Sequence, residues 1–263
     1  MKFAIATIMT FALVATGAAE ETAWVEVAPD VSVRLVSSGV PDADGIVWMG
    51  LDIDMPADTK TYWRVPGETG LPLIFDIARS SGIDSVQIAW PYPTREITDG
   101  YLDHAFYGHV LLPLAVTVSD NSPSLVAEIT MGICSDICVP ANVSLELAPA
   151  LDMPDSSNQH RIGQALANVP LPHDGADILG DASFDMSTEA ITVALLDPGF
   201  DHASMIADIA NTTLVFGKPE LIAPGQLSFA LLGRSGPETL RGAVAHFTFE
   251  NESGPFEITR LLD

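Results

Sequence analysis

Cysteine is nearly absent from this chain: Cys134 and Cys138 are the only two among 263 residues. A framework of staples between distant strands is therefore excluded. Cations are scarce as well, with 11 Lys and Arg against 35 Asp and Glu, for a net charge of −24. Such a surface repels phosphate backbones and anionic lipid headgroups, which excludes nucleic acid and peripheral membrane surfaces as partners. Charged residues make up 17% of the chain and hydrophobic ones 48%, a balance that rules out a disordered polymer and suffices for packed cores. After the N-terminal segment no apolar run approaches the ~20 residues of a spanning helix, so no direct membrane insertion is expected of the mature chain. No fixed-period repeat is present, and the acidic residues are dispersed as on a solvated face.

Lys2 precedes an apolar run from Phe3 to Val14, followed by the small residues Ala15-Thr-Gly-Ala-Ala19. A charged start, an apolar middle and a small-residue cleavage site describe a secretory signal peptide over 1–19, cut after Ala19. The destination is oxidising, where a cysteine pair can cycle between dithiol and disulfide.

The remainder reads as all-β. Short stretches such as 31–36, 46–53, 85–90, 124–131 and 143–147 are rich in β-branched residues, alternate at least in part, and are punctuated by Pro, Gly, Asp and Asn. A Pro/Asp/Ser linker starts near Pro149, and 157–168 has the pattern of one short helix ended by Pro170. Strand texture resumes at 190–196, 213–216, 226–232 and 243–249. The expected architecture is two β-sandwich domains, 20–150 and 175–263, joined by the segment 151–174 with its short helix.

The cysteine pair closes too small a ring to be a strong staple, about 2 kcal/mol in the loop-entropy model against nearly 5 for a loop of 100 residues. Redox or metal chemistry explains its placement better. Thiol exchange requires a thiolate to attack a disulfide sulfur with a second cysteine near enough to resolve the intermediate, and a separation by Ser135-Asp136-Ile137 satisfies that. Asp136 disfavours a nearby thiolate, so the resting thiol is expected at or above the ~8.5 of free cysteine. Which sulfur attacks is open at this level. Two other classes compete. One is a copper-binding protein whose two thiolates combine with Met131, His104 or His109 in a soft Cu(I) site. The other is a non-redox envelope interaction module with a structural disulfide.

Thr61-Tyr-Trp-Arg-Val-Pro-Gly-Glu-Thr-Gly-Leu-Pro72, Trp90-Pro-Tyr-Pro-Thr-Arg95, Gly100-Tyr101 and Cys134-Ser-Asp-Ile-Cys-Val-Pro140 occur in this order. Together they resemble the N-terminal periplasmic domain of the DsbD/ScsB group of thiol-disulfide reductases, over about Trp24 to Leu147. The resemblance implies an immunoglobulin-like sandwich in the periplasm. Cys134 and Cys138 would relay electrons there from a membrane thiol reductant to periplasmic thioredoxin-like or thiol proteins, with no cofactor. It also implies a second immunoglobulin-like domain, a place that 175–263 fits. The Cys-x3-Cys spacing is that of ScsB-like members, since DsbD itself spaces its pair more widely.

Other residues carry plainer expectations. Trp63, Trp90, Tyr92, Tyr101 and Tyr107 are expected as core or edge aromatics, with an aromatic from 101–107 as a candidate shield over the cysteines. His104 and His109 are expected on the surface of a loop, Arg64 and Arg95 in ion pairs with carboxylates, and Pro66, Gly67 and Gly70 in turns.

Overall fold

The computed structural model describes residues 20–233 and 239–263, so the expected signal peptide, 1–19, lies outside the described residues. Eleven strands come first: β1 (Val25–Ala28), β2 (Val31–Ser37), β3 (Ile46–Asp54), β4 (Lys60–Gly67), β5 (Ile74–Asp76), β6 (Ile83–Ile88), β7 (Thr94–Thr98), β8 (Tyr101–Tyr107), β9 (Val110–Val118), β10 (Leu125–Cys134) and β11 (Cys138–Leu147). They form two sheets, ordered β1-β2-β3-β9-β6 and β11-β10-β4-β8-β7, with β5 pairing part of β10. Alternation decides what lies between them. Val33, Leu35, Met49, Leu51, Trp63, Val65, Leu112, Leu114, Ile129 and Met131 point inward to one buried core, while their neighbours along each strand point out.

After α1 (Ser156–Leu166), nine strands make a second pair of sheets. These are β12 (Leu171–Pro172), β13 (Leu179–Asp185), β14 (Ala190–Leu195), β15 (Ile206–Ile209), β16 (Val215–Phe216), β17 (Glu220–Ala223), β18 (Gln226–Leu232), β19 (Val244–Asn251) and β20 (Gly254–Leu261). Their orders are β12-β20-β19-β15 and β13-β14-β18-β16, with β17 pairing β18, around a core that includes Phe216, Phe229, Phe247 and Phe249. The fold is all-β and immunoglobulin-like, with one helix among the described residues.

The helix is not a free tether. Asp155 caps its start by accepting from the Asn158 N–H at 2.9 Å. Ile162 is buried against Val36 and Leu111 of the first sandwich. Beside it the buried carboxylate of Asp52 is met from three sides: by Arg34 at 2.9 Å, by the His109 Nε2 at 2.7 Å and by Arg161 of the helix at 3.5 Å.

Three residues of the first sandwich hold the second. The Arg64 guanidinium reaches Asp208 at 2.6 Å and Glu257 at 2.5 Å. The expected ion pair exists, with partners more than 140 positions away. Arg95 departs from expectation: its donors go to the backbone carbonyls of Ala203, Ser204 and Met205, not to carboxylates. Tyr92 Oη donates to the Ser204 carbonyl at 2.5 Å. The segment 203–205 offers three successive carbonyl acceptors, and a planar fork of donors matches several carbonyls where a carboxylate would supply one group. Burial pushes Asp208 up, but hydrogen bonding from His246 and the charge of Arg64 outweigh it and hold the carboxyl below its usual range.

Replacing Arg64 by Met should therefore leave Asp208 buried without its cation. The expected loss is about 3 kcal/mol of unfolding free energy in chemical denaturation, with partial recovery on adding Asp208→Asn. A loss below ~1 kcal/mol would show that the guanidinium is dispensable.

Candidate functional site

Cys134 ends β10 and Cys138 begins β11, directly opposite each other in a hairpin whose register is unbroken from Leu125↔Leu147 onward. The two sulfurs form a disulfide, and the Cα atoms lie 4.1 Å apart. Strand parity places the pair. Leu125, Ala127, Ile129, Met131 and Ile133 face the core, so Cys134 faces outward with Gly132. It is nonetheless buried, at 1% exposure, whereas Cys138 and the tip residues Ser135 to Ile137 are exposed. The two sulfurs are chemically inequivalent.

Tyr62 covers Cys134. Its strand neighbour Trp63 points into the core, so Tyr62 points out from β4 and brings its hydroxyl 2.9 Å from Cys134 Sγ and 3.4 Å from Cys138 Sγ. Glycines seat the ring. A Cβ on Gly70 would come within 2.6 Å of one ring edge, and one on Gly132 within 3.1 Å of the other. Gly70 is required for this close approach more than for a turn. Gly67 ends β4 at φ +102, where a Cβ would lie 2.4 Å from the Leu102 carbonyl, so Pro66 and Gly67 belong to a strand end and not to a turn.

A polar row continues from the pair. Cys134 pairs Lys60 on β4, and Lys60 pairs Tyr107 on β8. The Lys60 ammonium contacts Glu96 and lies 3.5 Å from Asp103, and Tyr107 donates to Glu96. Lys60 also sits 5.5 Å from the Tyr62 ring centroid. Burial would lower the Lys60 pKa, but the Glu96 hydrogen bond outweighs it and the ammonium is held above its ordinary value. Burial raises the Tyr62 hydroxyl, and burial with the Glu96 contact pushes Tyr107 up to about 12. Both phenols are therefore neutral donors at physiological pH. A fixed hydroxyl beside a buried sulfur can hydrogen-bond the thiolate released there when the disulfide opens.

Several expectations need correction. Residues 104–107, expected in a loop with His109, belong to β8 (Tyr101–Tyr107). His104 is buried edge-on against Trp63, its Nδ1 3.1 Å from the Val65 carbonyl, and burial drives its pKa down to about 4. His109 does lie in a turn, but is tied to Asp52. The shield over the cysteines comes from Tyr62, not from an aromatic in 101–107. Tyr101 and Tyr107 are partly exposed, and Phe106 belongs to the core. Met131 faces the core, opposite to Cys134, so the soft donors are not gathered round the sulfurs. Tyr62 was legible in principle: it adjoins Trp63, and a strand that buries the tryptophan must present the tyrosine outward.

Replacing Tyr62 by Phe should raise the titration midpoint of the Cys134 thiol in the reduced protein, followed by thiolate absorbance, because the donor to the thiolate is lost. An unchanged midpoint would leave the hydroxyl without influence. In a proton NMR titration His104 should stay neutral down to about pH 4. Its folded pKa lies below the ~6.5 of an unfolded chain, so its contribution to stability is complete above pH 6.5 and falls as the pH drops toward 4.

Comparison with known proteins agrees with this geometry. Residues 32–150 match the family model described as thiol:disulfide interchange protein DsbD, N-terminal. The crystal structure of the N-terminal periplasmic domain of ScsB from Proteus mirabilis superposes with a TM-score of 0.70 at 20% identity, covering 92% of this chain and 98% of that one. At that identity the likeness speaks for the fold across both sandwiches. No curated protein matches the sequence. Residues 32–150 thus form an N-terminal domain of the DsbD thiol:disulfide interchange family.

Proposed function

We infer that Cys134 and Cys138 are one reversible couple, carrying two electrons from a membrane thiol reductant to thioredoxin-like or other thiol proteins of the periplasm. The observation that carries the reading is the asymmetry of the pair, with one sulfur exposed at a hairpin tip and the other buried under the Tyr62 hydroxyl. The interchange family of residues 32–150 supports it. The apolar segment 3–14 supports export, and no helix among the described residues is long and apolar enough to cross a membrane. In this reading 20–150 is the redox domain, 151–174 the connector and 175–263 a second small domain.

The donor's thiolate attacks the accessible Sγ of Cys138, the bond to Cys134 breaks, and its electron pair leaves on Cys134 Sγ beside the Tyr62 hydroxyl. A second donor thiolate then attacks the mixed disulfide and releases Cys138. The donor is oxidised to a disulfide, and the pair takes up two electrons and, from solvent, two protons. Delivery reverses the roles: the Cys138 thiolate attacks an acceptor disulfide and Cys134 resolves the intermediate.

The test follows from the asymmetry. Cys134→Ala, lacking the resolving thiol, should trap a mixed disulfide through Cys138 when recovered from periplasm under non-reducing conditions, and Cys138→Ala should trap little. Failure of both variants to capture any protein, with folding intact, would defeat the relay.

A further inference from the structure

The hairpin carries a second feature beside the exposed sulfur. Among the described residues β11 pairs only with β10, so its other side is a free sheet edge. Which backbone groups face that edge is fixed by proline. In an antiparallel ladder, pairs that exchange hydrogen bonds alternate with pairs whose N–H and C=O groups point away from each other. Pro140 stands opposite Gly132 in an unbroken register and has no N–H, so it sits at a non-hydrogen-bonded position without breaking the ladder. Two residues away, Cys134↔Cys138 is therefore of the same kind. Their Cα separation of 4.1 Å agrees, being near the ~4.5 Å of such pairs and well short of the ~5.5 Å of hydrogen-bonded ones. The N–H and C=O of Cys138 thus point to the open edge, next to its exposed sulfur.

We propose that this edge docks an extended, cysteine-bearing segment of the thiol partner, with the partner's cysteine directly opposite Cys138. The inference rests on the relay reading and specifies how the partner is recognised. A residue exchanging both backbone hydrogen bonds with Cys138 would have its Cα about 5.5 Å away and its side chain on the same face. That separation lies within the roughly 4.4–6.8 Å found across disulfides, so backbone pairing brings the incoming sulfur up to Cys138 Sγ, and a small closing of the two strands completes the bond. Ile137 and Val139, flanking Cys138, are 75% and 42% exposed, and they favour apolar neighbours on either side of the incoming cysteine. Pro140 limits the addition. At the next outward position it offers a carbonyl and no donor, so the added strand is short and lengthwise edge pairing is discouraged.

The exchange step balances as above. The peptide thiolate bonds to Cys138 Sγ, the Cys134–Cys138 bond breaks, and the electron pair stays on Cys134, which takes a proton from solvent.

The test uses the oxidised full chain and two synthetic peptides, Gly-Val-Cys-Val-Gly and the same peptide N-methylated at the cysteine amide. Methylation removes the donor to the Cys138 carbonyl and leaves the thiol in place. The N-methyl peptide should open the disulfide more slowly, by roughly fivefold for one lost hydrogen bond after correction for thiolate fraction. Dithiothreitol serves as the reference, since it needs no backbone contact. Equal rates for the two peptides, with dithiothreitol reducing the pair normally, would overturn edge docking and leave the relay standing. A pair inert to dithiothreitol as well would overturn both.

Discussion

A strand in a sandwich can bury one row of side chains only by turning the alternate row outward, and β4 turns out Lys60, Tyr62 and Arg64. Trp63 and Val65 fill the first core from the same strand. The outward row performs two tasks. Lys60 and Tyr62 line the disulfide, and one step further Arg64 enters the second sandwich to meet Asp208 and Glu257. Shifting β4 by one residue would empty the core, uncover Cys134 and remove the guanidinium from the interface together. The disulfide site and the joint between the sandwiches share one register.

Cations are few, and most of the described ones are tied into the fold. Arg34 and Arg161 converge on Asp52, Arg64 on the acids of the second sandwich, and Lys60 on Glu96 and Asp103. Arg95 and Arg260 hold backbone carbonyls. Much of the small positive complement is thus engaged within the fold, and the acidic excess is left for the surface.

The strands were legible wherever alternation was clean: 31–36, 46–53, 143–147 and 226–232 all fall within β2, β3, β11 and β18. The helix was legible from its pattern and the proline beyond it. Residues 101–107 misled because Asp103 and His104 are polar in a strand that is buried almost throughout. Their partners, Thr69 and the Val65 carbonyl, lie more than 30 positions away, and no local pattern announces them. The cysteines were conspicuous by their isolation. Tyr62 was not, because its contact with sulfur spans 72 positions and depends on Gly132 and on Gly70, which reads locally as an ordinary turn residue. Arg95 looked like any surface cation, since backbone acceptors leave no mark in a sequence.

The disulfide joins the two ends of a three-residue hairpin tip, and the ladder beneath it is continuous down to Leu125↔Leu147. Opening the bond frees almost no chain, so the sandwiches retain their shape whether the sulfurs are joined or apart. A molecule meeting this protein therefore cannot sense its oxidation state from a distance, through altered outline or domain posture. It learns the state only by touching the tip. In the proposed relay, discrimination between the oxidised and the reduced pair would therefore have to come from the exchange reaction itself.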